Sequence, residues 1–264
     1  MRSAQVFRLS MAHPGDLSEF DRLITGGTVR AADVVAIIGK TEGNGGVNDF
    51  TRGYFTQTLM ALLSRHLKKP EEQLIHEIPC VLSGGTEGVM SPHYSVFCTG
   101  EGEAMPGGGS SLAIGTAFSE PVPAENVGRR DHVDSVANAV RAAIANAGIE
   151  RPDDVHFVQV KCPCVTVARA VAAMAAGKTP LTNDPNKSMA YARAAGAFGV
   201  AVALDELKPS GFDDASLLSD FSIQSPRASI SSGVEVESNE ASSKPVGFSS
   251  SSATATPNAP AARA

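Results

Sequence analysis

The chain has 264 residues, of which 42% are hydrophobic and only 5% aromatic, with 28 acidic against 22 basic side chains and a net charge of −6. That is enough apolar material for a substantial core, and the length suits two structural units better than one. The acidic balance, with a pI near 5.5, leaves no electrostatic footprint for nucleic acid or an anionic membrane surface.

No apolar run is long enough to span a bilayer, and the opening MRSAQVFRLS lacks the apolar centre of a signal peptide, so the sequence reads as cytoplasmic. Cys80, Cys98, Cys162 and Cys164 lie mostly within apolar runs, and the one-residue spacing of Cys162 and Cys164 is too short for redox or zinc motifs. They read as small buried hydrophobes. The six histidines show no paired ligand spacing, so no protein-bound catalytic metal is expected in this stretch of chain.

In chain order, residues 6–11 suit a first strand and 16–24 a short helix closed by Gly26 and Gly27. Residues 33–40 (DVVAIIGK) form a continuous β-branched run, the pattern of a strand buried on both faces, with Lys40 at its end. The glycine-rich 41–47 must be a loop, after which Asn48 or Asp49 can cap a helix over about 50–67 that carries Arg52 in its first turn. A strand at 78–82 delivers Ser83, and 94–98 suits another. Residues 100–109 (GEGEAMPGGG) read as a hinge, dividing a first unit at 1–101 from a second at 110–240.

The second unit opens with a strand at 111–118, then a helix marked by Val133, Val136, Val140 and Ile144 and stopped by Gly148. Residues 154–161 (DVHFVQVK) repeat the character of 33–40: an acidic start, a β-branched body, a terminal lysine, here Lys161. Helices are expected at 165–176 and at 188–202, the latter carrying Arg193, and a strand and turn at 228–236 carry Ser231. Residues 241–264, rich in serine, alanine and proline, offer too little apolar burial to offset ordering and are expected to be disordered.

One order of reactive types therefore occurs twice: Lys40, Arg52, Ser83, then Lys161, Arg193, Ser231. The serine stretches also align, IPCVLSGGTEG (78–88) with RASISSGVEVE (227–237), matching Ser83 with Ser231 and Gly85 with Gly233. Taken singly, each lysine is explained as a solvated strand-end charge, each arginine as helix surface and each serine as a turn former; the matched set is not. A serine hydroxyl needs a base, and a neutral lysine can serve. Bringing a lysine from about 10.4 to about 7.5 takes roughly 4 kcal/mol of bias against the ammonium, in the direction that burial and a nearby arginine supply. Arginines would meanwhile donate forked hydrogen bonds to carbonyl oxygens of a flat substrate, which suits hydrolysis of an amide or imide. A phosphate-binding loop is excluded at Gly39-Lys40-Thr41, because the glycine required five positions before Gly39 is Val34.

With GKTEGNGGVNDFTRGY (39–54), PCVLSGGTEGVMSPH (79–93), VQVKCP (158–163) and ASISSGVEVESNE (228–240) assembled, the chain resembles the cyanuric acid hydrolase and barbiturase family of ring-opening amidohydrolases across about residues 4–240. The resemblance implies an α/β fold of three homologous units around one site in pseudo-threefold fashion, each giving a lysine, an arginine and a serine. It implies that Arg52, Ser83 and Gly84 bind substrate from the first unit and Arg193, Ser231 and Ser232 from the second. It also implies Lys161 as base and Ser231 as nucleophile, with Lys40 in support, and a small cyclic ureide or imide as substrate. Family members go on to a third unit that brings a structural metal site; here two units are legible, with no cofactor expected in them, and the chain reads as ending before the third. Three readings stay open: ring opening of cyanuric acid to carboxybiuret and biuret, the same chemistry on barbituric acid, or a remnant that binds planar ureides or associates with intact homologues. A homo-oligomer, a tetramer in complete members, is the expected assembly.

Overall fold

The computed structural model describes residues 2–86, 90–101, 112–211, 214, 236–239 and 246–251. Two four-stranded sheets are built to one plan. In the first, β1 (Arg2–Ser10), β2 (Val34–Lys40), β3 (Cys80–Ser83) and β4 (His93–Glu101) lie in the order β1-β4-β2-β3. In the second, β5 (Ala113–Phe118), β6 (Phe157–Pro163), β7 (Val236–Asn239) and β8 (Val246–Ser251) lie in the order β5-β8-β6-β7. Each sheet has the same neighbours: antiparallel, antiparallel, then parallel. The repeat inferred from the two lysine strands is thus a repeat of topology.

The helices follow the sequence signals closely. α1 (Ser18–Thr25) begins beside Asp16, whose carboxylate accepts from the N–H and hydroxyl of Ser18. α2 (Thr51–Leu67) turns Phe55, Leu59, Leu62 and Leu63 inward, and α3 (Glu71–Leu74) adds a short turn that the sequence does not announce. In the second unit α4 (Arg130–Ala147) stops at Gly148, whose φ of 71° is open to a residue without Cβ. α5 (Val167–Ala175) is capped by Thr166 and α6 (Pro185–Ala203) by Asp184.

Each sheet packs one face on its own helices and turns the other toward its partner sheet. In the first unit Ile37, Cys80, Leu82 and Val96 pack with Phe20, Phe55 and Leu59, where Tyr94 meets Phe55 edge-on at 5.1 Å. In the second, Val158, Val160 and Cys162 pack with Val133, Val136 and Val140 of α4 and Ala192 and Val200 of α6. Full burial of a Phe or Leu contributes roughly 1.5–3 kcal/mol, so each unit carries its own core. The remaining alternate positions meet between the sheets, where Ala36, Val35, Ile38 and Phe97 pack with Ile114, Leu112 and Phe157. Val35 and Ala36 both join this layer because the register between β2 and β4 slips between Val34 and Ala36.

One expectation is corrected. Residues 246–251, assigned from composition to a disordered tail at 241–264, form β8, the strand between β5 and β6. Ladder hydrogen bonds on both edges come from backbone groups, so a serine-rich run can complete a sheet that composition alone would not credit. The second unit therefore reaches Ser251; the other residues of that tail lie outside the described ones. Among the described residues no helix is long and apolar enough to cross a membrane.

His132 on α4 is fully buried; its Nδ1 accepts from the Gly128 N–H at 3.2 Å, which leaves the proton on Nε2, and Nε2 has no hydrogen-bond partner among the described residues. Burial pushes its pKa down from 6.5 to about 4. The folded state thus refuses a proton that the unfolded chain takes up, and stability is lost as pH falls from about 6.5 to about 4, by about 3 kcal/mol in all. His132→Asn, which keeps an acceptor for Gly128, is expected to flatten that part of the urea-denaturation stability profile.

Candidate functional site

The first unit's site forms where β2 and β3 end side by side. Their parallel register sets Lys40 opposite Ser83, so both side chains leave the same face of the sheet, the face that carries Ile38 toward the second unit. Lys40 Nζ donates to Ser83 Oγ at 2.5 Å and to the Gly84 carbonyl at 3.0 Å. The amine and hydroxyl that the sequence set 43 residues apart are therefore in direct contact.

Arg52 lies in the first turn of α2, its side chain 9% exposed; Nη2 donates to the Gly46 carbonyl at 2.8 Å and Nε lies 3.6 Å from Asp49 Oδ2. Asp49, which the sequence offers only as a cap, proves to be the hub of the loop. Its side chain is fully buried. Oδ2 accepts from the Gly45 N–H at 2.9 Å, and Oδ1 from the Thr51 N–H at 2.9 Å and the Thr51 hydroxyl at 2.5 Å. Burial alone would raise the carboxyl's pKa, but the bonds from Thr51 and Gly45 and the charge of Arg52 outweigh it and hold Asp49 below the usual carboxylate range. The signal that could have found it is a single acid inside a glycine-rich loop, three residues before a helical arginine.

From the second unit, Lys161 is buried at 6% exposure and on the β6 face that carries Phe157 toward the first sheet. Its Nζ donates to the Cys80 carbonyl of β3 at 3.1 Å, crossing from one unit to the other. Cys80 is three residues before Ser83 on β3, roughly 10 Å along a strand, so Lys161 and Lys40 approach the same strand at different heights. Neither the sequence pattern nor the spacing foretold the Cys80 contact. β7 sets Glu237 at the register position of Lys161, and the described strand starts at Val236. The expected strand and turn at 228–236, with Ser231 and Ser232, otherwise lies outside the described residues. Arg193 is on α6 as expected, but exposed, in contrast to Arg52. Among the described residues no group of three or more His, Cys, Asp or Glu side chains is placed to hold a metal ion.

Gly43 and Gly84 allow the loop and the serine turn to meet, since a Cβ on either would run into the Asp49 carboxylate. The Cβ on Gly84 would also sit 2.6 Å from the Gly45 nitrogen, while Gly53, exposed on α2, has open space around it. Gly84→Ala is expected to cost about 1–3 kcal/mol in urea denaturation, whereas Gly53→Ala is expected to stabilise by about 0.5–1 kcal/mol.

Comparison with known proteins agrees with this architecture. The family described as amidohydrolase ring-opening protein matches residues 5–246. The cyanuric acid amidohydrolase of Pseudomonas sp. (strain ADP) is 45% identical over 240 residues, covering 90% of this chain and 66% of that protein. That of Azorhizobium caulinodans is 46% identical over 240 residues, covering 91% and 66%. Among solved structures, one described as cyanuric acid hydrolase, an evolutionary innovation by structural concatenation, superposes with a TM-score of 0.88 at 40% identity, covering 96% of this chain and 68% of that one. The cyanuric acid hydrolase of A. caulinodans superposes at 0.84 and 41% identity, covering 95% and 67%. The chain thus spans 66% of the length of the first two of these relatives. Because the family match starts inside β1 and runs to the first residue of β8, taking in both sheets and both lysine strands, the chain belongs to the ring-opening amidohydrolases.

Proposed function

We propose that this chain hydrolyses a ring amide of cyanuric acid, opening the ring to carboxybiuret, which loses carbon dioxide to give biuret. The observation that carries the reading is the Lys40 amine on the Ser83 hydroxyl at the strand ends, with Lys161 reaching toward the same strand from the repeated unit. The names of the relatives, cyanuric acid amidohydrolases at 45 and 46% identity, support the substrate.

In this reading Ser231 attacks a ring carbonyl carbon and Lys161 takes the serine proton. The carbon–nitrogen bond of the tetrahedral adduct then breaks as the lysine returns that proton to the ring nitrogen. Water hydrolyses the resulting acyl serine and frees carboxybiuret. Arg52, Ser83 and Gly84 hold carbonyl oxygens from the first unit, Arg193 and Ser232 from the second, and Lys40 keeps Ser83 oriented. Donors fixed in advance around a planar ring contribute most as charge gathers on the oxygen under attack. A homo-oligomer is the assembly proposed.

The 2.5 Å contact of Lys40 with Ser83 favours a second assignment within the same chemistry, Ser83 as nucleophile and Lys40 as base. Substitution separates them. With cyanuric acid as substrate and biuret and carbon dioxide as the measured products, Ser231→Ala is expected to lower kcat roughly 10³-fold or more, and Ser83→Ala chiefly to raise KM. The opposite pattern transfers the nucleophile to Ser83. Barbituric acid run in parallel decides the substrate, and calorimetric binding of cyanuric acid without turnover by the unsubstituted chain would replace hydrolysis with ureide binding.

A further inference from the structure

The geometry points to Asp49 as the positioning residue of the first unit's site: its carboxylate holds Arg52 and the Ser83–Gly84 turn in the places a planar, carbonyl-rich ring requires. This rests on the ureide reading of the site. Asp49 reaches both groups at once. It lies 3.6 Å from the Arg52 guanidinium, whose other end is fixed by the Gly46 carbonyl at 2.8 Å. It gathers the Gly45 N–H and the Thr51 N–H and hydroxyl. From Thr51 the chain of contacts continues to the Thr41 hydroxyl at 2.9 Å, and the Thr41 N–H donates to the Ser83 carbonyl at 2.7 Å. The carboxylate also occupies the space that a Cβ on Gly43 or Gly84 would need, so the loop and the serine turn close around it.

No other residue type satisfies this set. Asn would present N–H₂ to one of the N–H donors and withdraw the charge that faces Arg52, and Glu would drive an extra methylene into the space closed by Gly43 and Gly84. Asp49 itself is too enclosed to meet the substrate. Its effect is on the angle and depth at which Arg52 offers its donors, and small displacements of a binding group cost large factors.

The test compares Asp49→Asn, Arg52→Met and the double variant with the unsubstituted chain. Asp49→Asn is expected to raise KM and the calorimetric Kd for cyanuric acid about tenfold, with kcat falling less than about threefold. On the Arg52→Met background the same change should alter Kd by less than about twofold, because its target is gone. Equal, multiplying effects in both backgrounds, or a lowered thermal midpoint with unchanged Kd, would mean Asp49 only stabilises the fold and would overturn the proposal. Should the unsubstituted chain neither bind nor hydrolyse cyanuric acid, the ureide reading fails, and the ¹⁵N shift of Arg52 Nε, which lies 3.6 Å from the carboxylate, then decides: a shift that moves on Asp49→Asn supports positioning, and one that stays overturns it.

Discussion

A lysine amine and a serine hydroxyl from distant parts of a chain can be held in contact when two parallel strands set them at one height, and the pairing of β2 with β3 does this. Lys40 lies opposite Ser83, and because side chains at paired positions of a sheet leave on the same face, the amine meets the hydroxyl with no further adjustment. A slip of one residue would turn either group into the helical core, among Ile37 and Leu82. The apolar alternation of both strands thus fixes the chemistry as firmly as it fixes the core.

The second sheet repeats the strand order and the parallel pairing, with Glu237 rather than a serine at the register position of its lysine. A sheet with helices on one face has another face to cover, and here each unit covers the other's through Ile38, Phe97, Ile114 and Phe157. Lys161 issues from this shared layer and donates to the backbone of β3, so the contact between units is polar as well as apolar. Burying an amine is tolerable where hydrogen-bond acceptors meet it, and the Cys80 carbonyl is one. Lys40 bonds to the Ser83 hydroxyl and Gly84 carbonyl of its own unit, while Lys161 reaches across to a carbonyl of the other unit, a relation that local sequence character does not suggest.

Around the first lysine the loop has little apolar content of its own and is organised by a single carboxylate. Asp49 gives up its hydration and recovers it as bonds from Gly45 and Thr51 and the charge of Arg52, and its depressed pKa records that the exchange is favourable. Gly43 of the loop and Gly84 beside Ser83 leave room for the Asp49 side chain, since a side chain at either would occupy its place.

Sequence by itself determined much of this protein. The β-branched runs ending in Lys40 and Lys161, the helix closed by Gly148, the two-unit repeat and the family motifs are all local patterns, and local patterns follow from propensity and periodicity. What only the tertiary structure decided were relations between segments: Asp49 as a hub, Lys161 on the Cys80 carbonyl, the burial of Arg52 where Arg193 is exposed, and a strand made from serine-rich residues 246–251. Each depends on which backbone or charge arrives from elsewhere in the chain. A strand completed by ladder bonds, or an acid buried because its partners surround it, is stabilised by neighbours that its own composition does not contain.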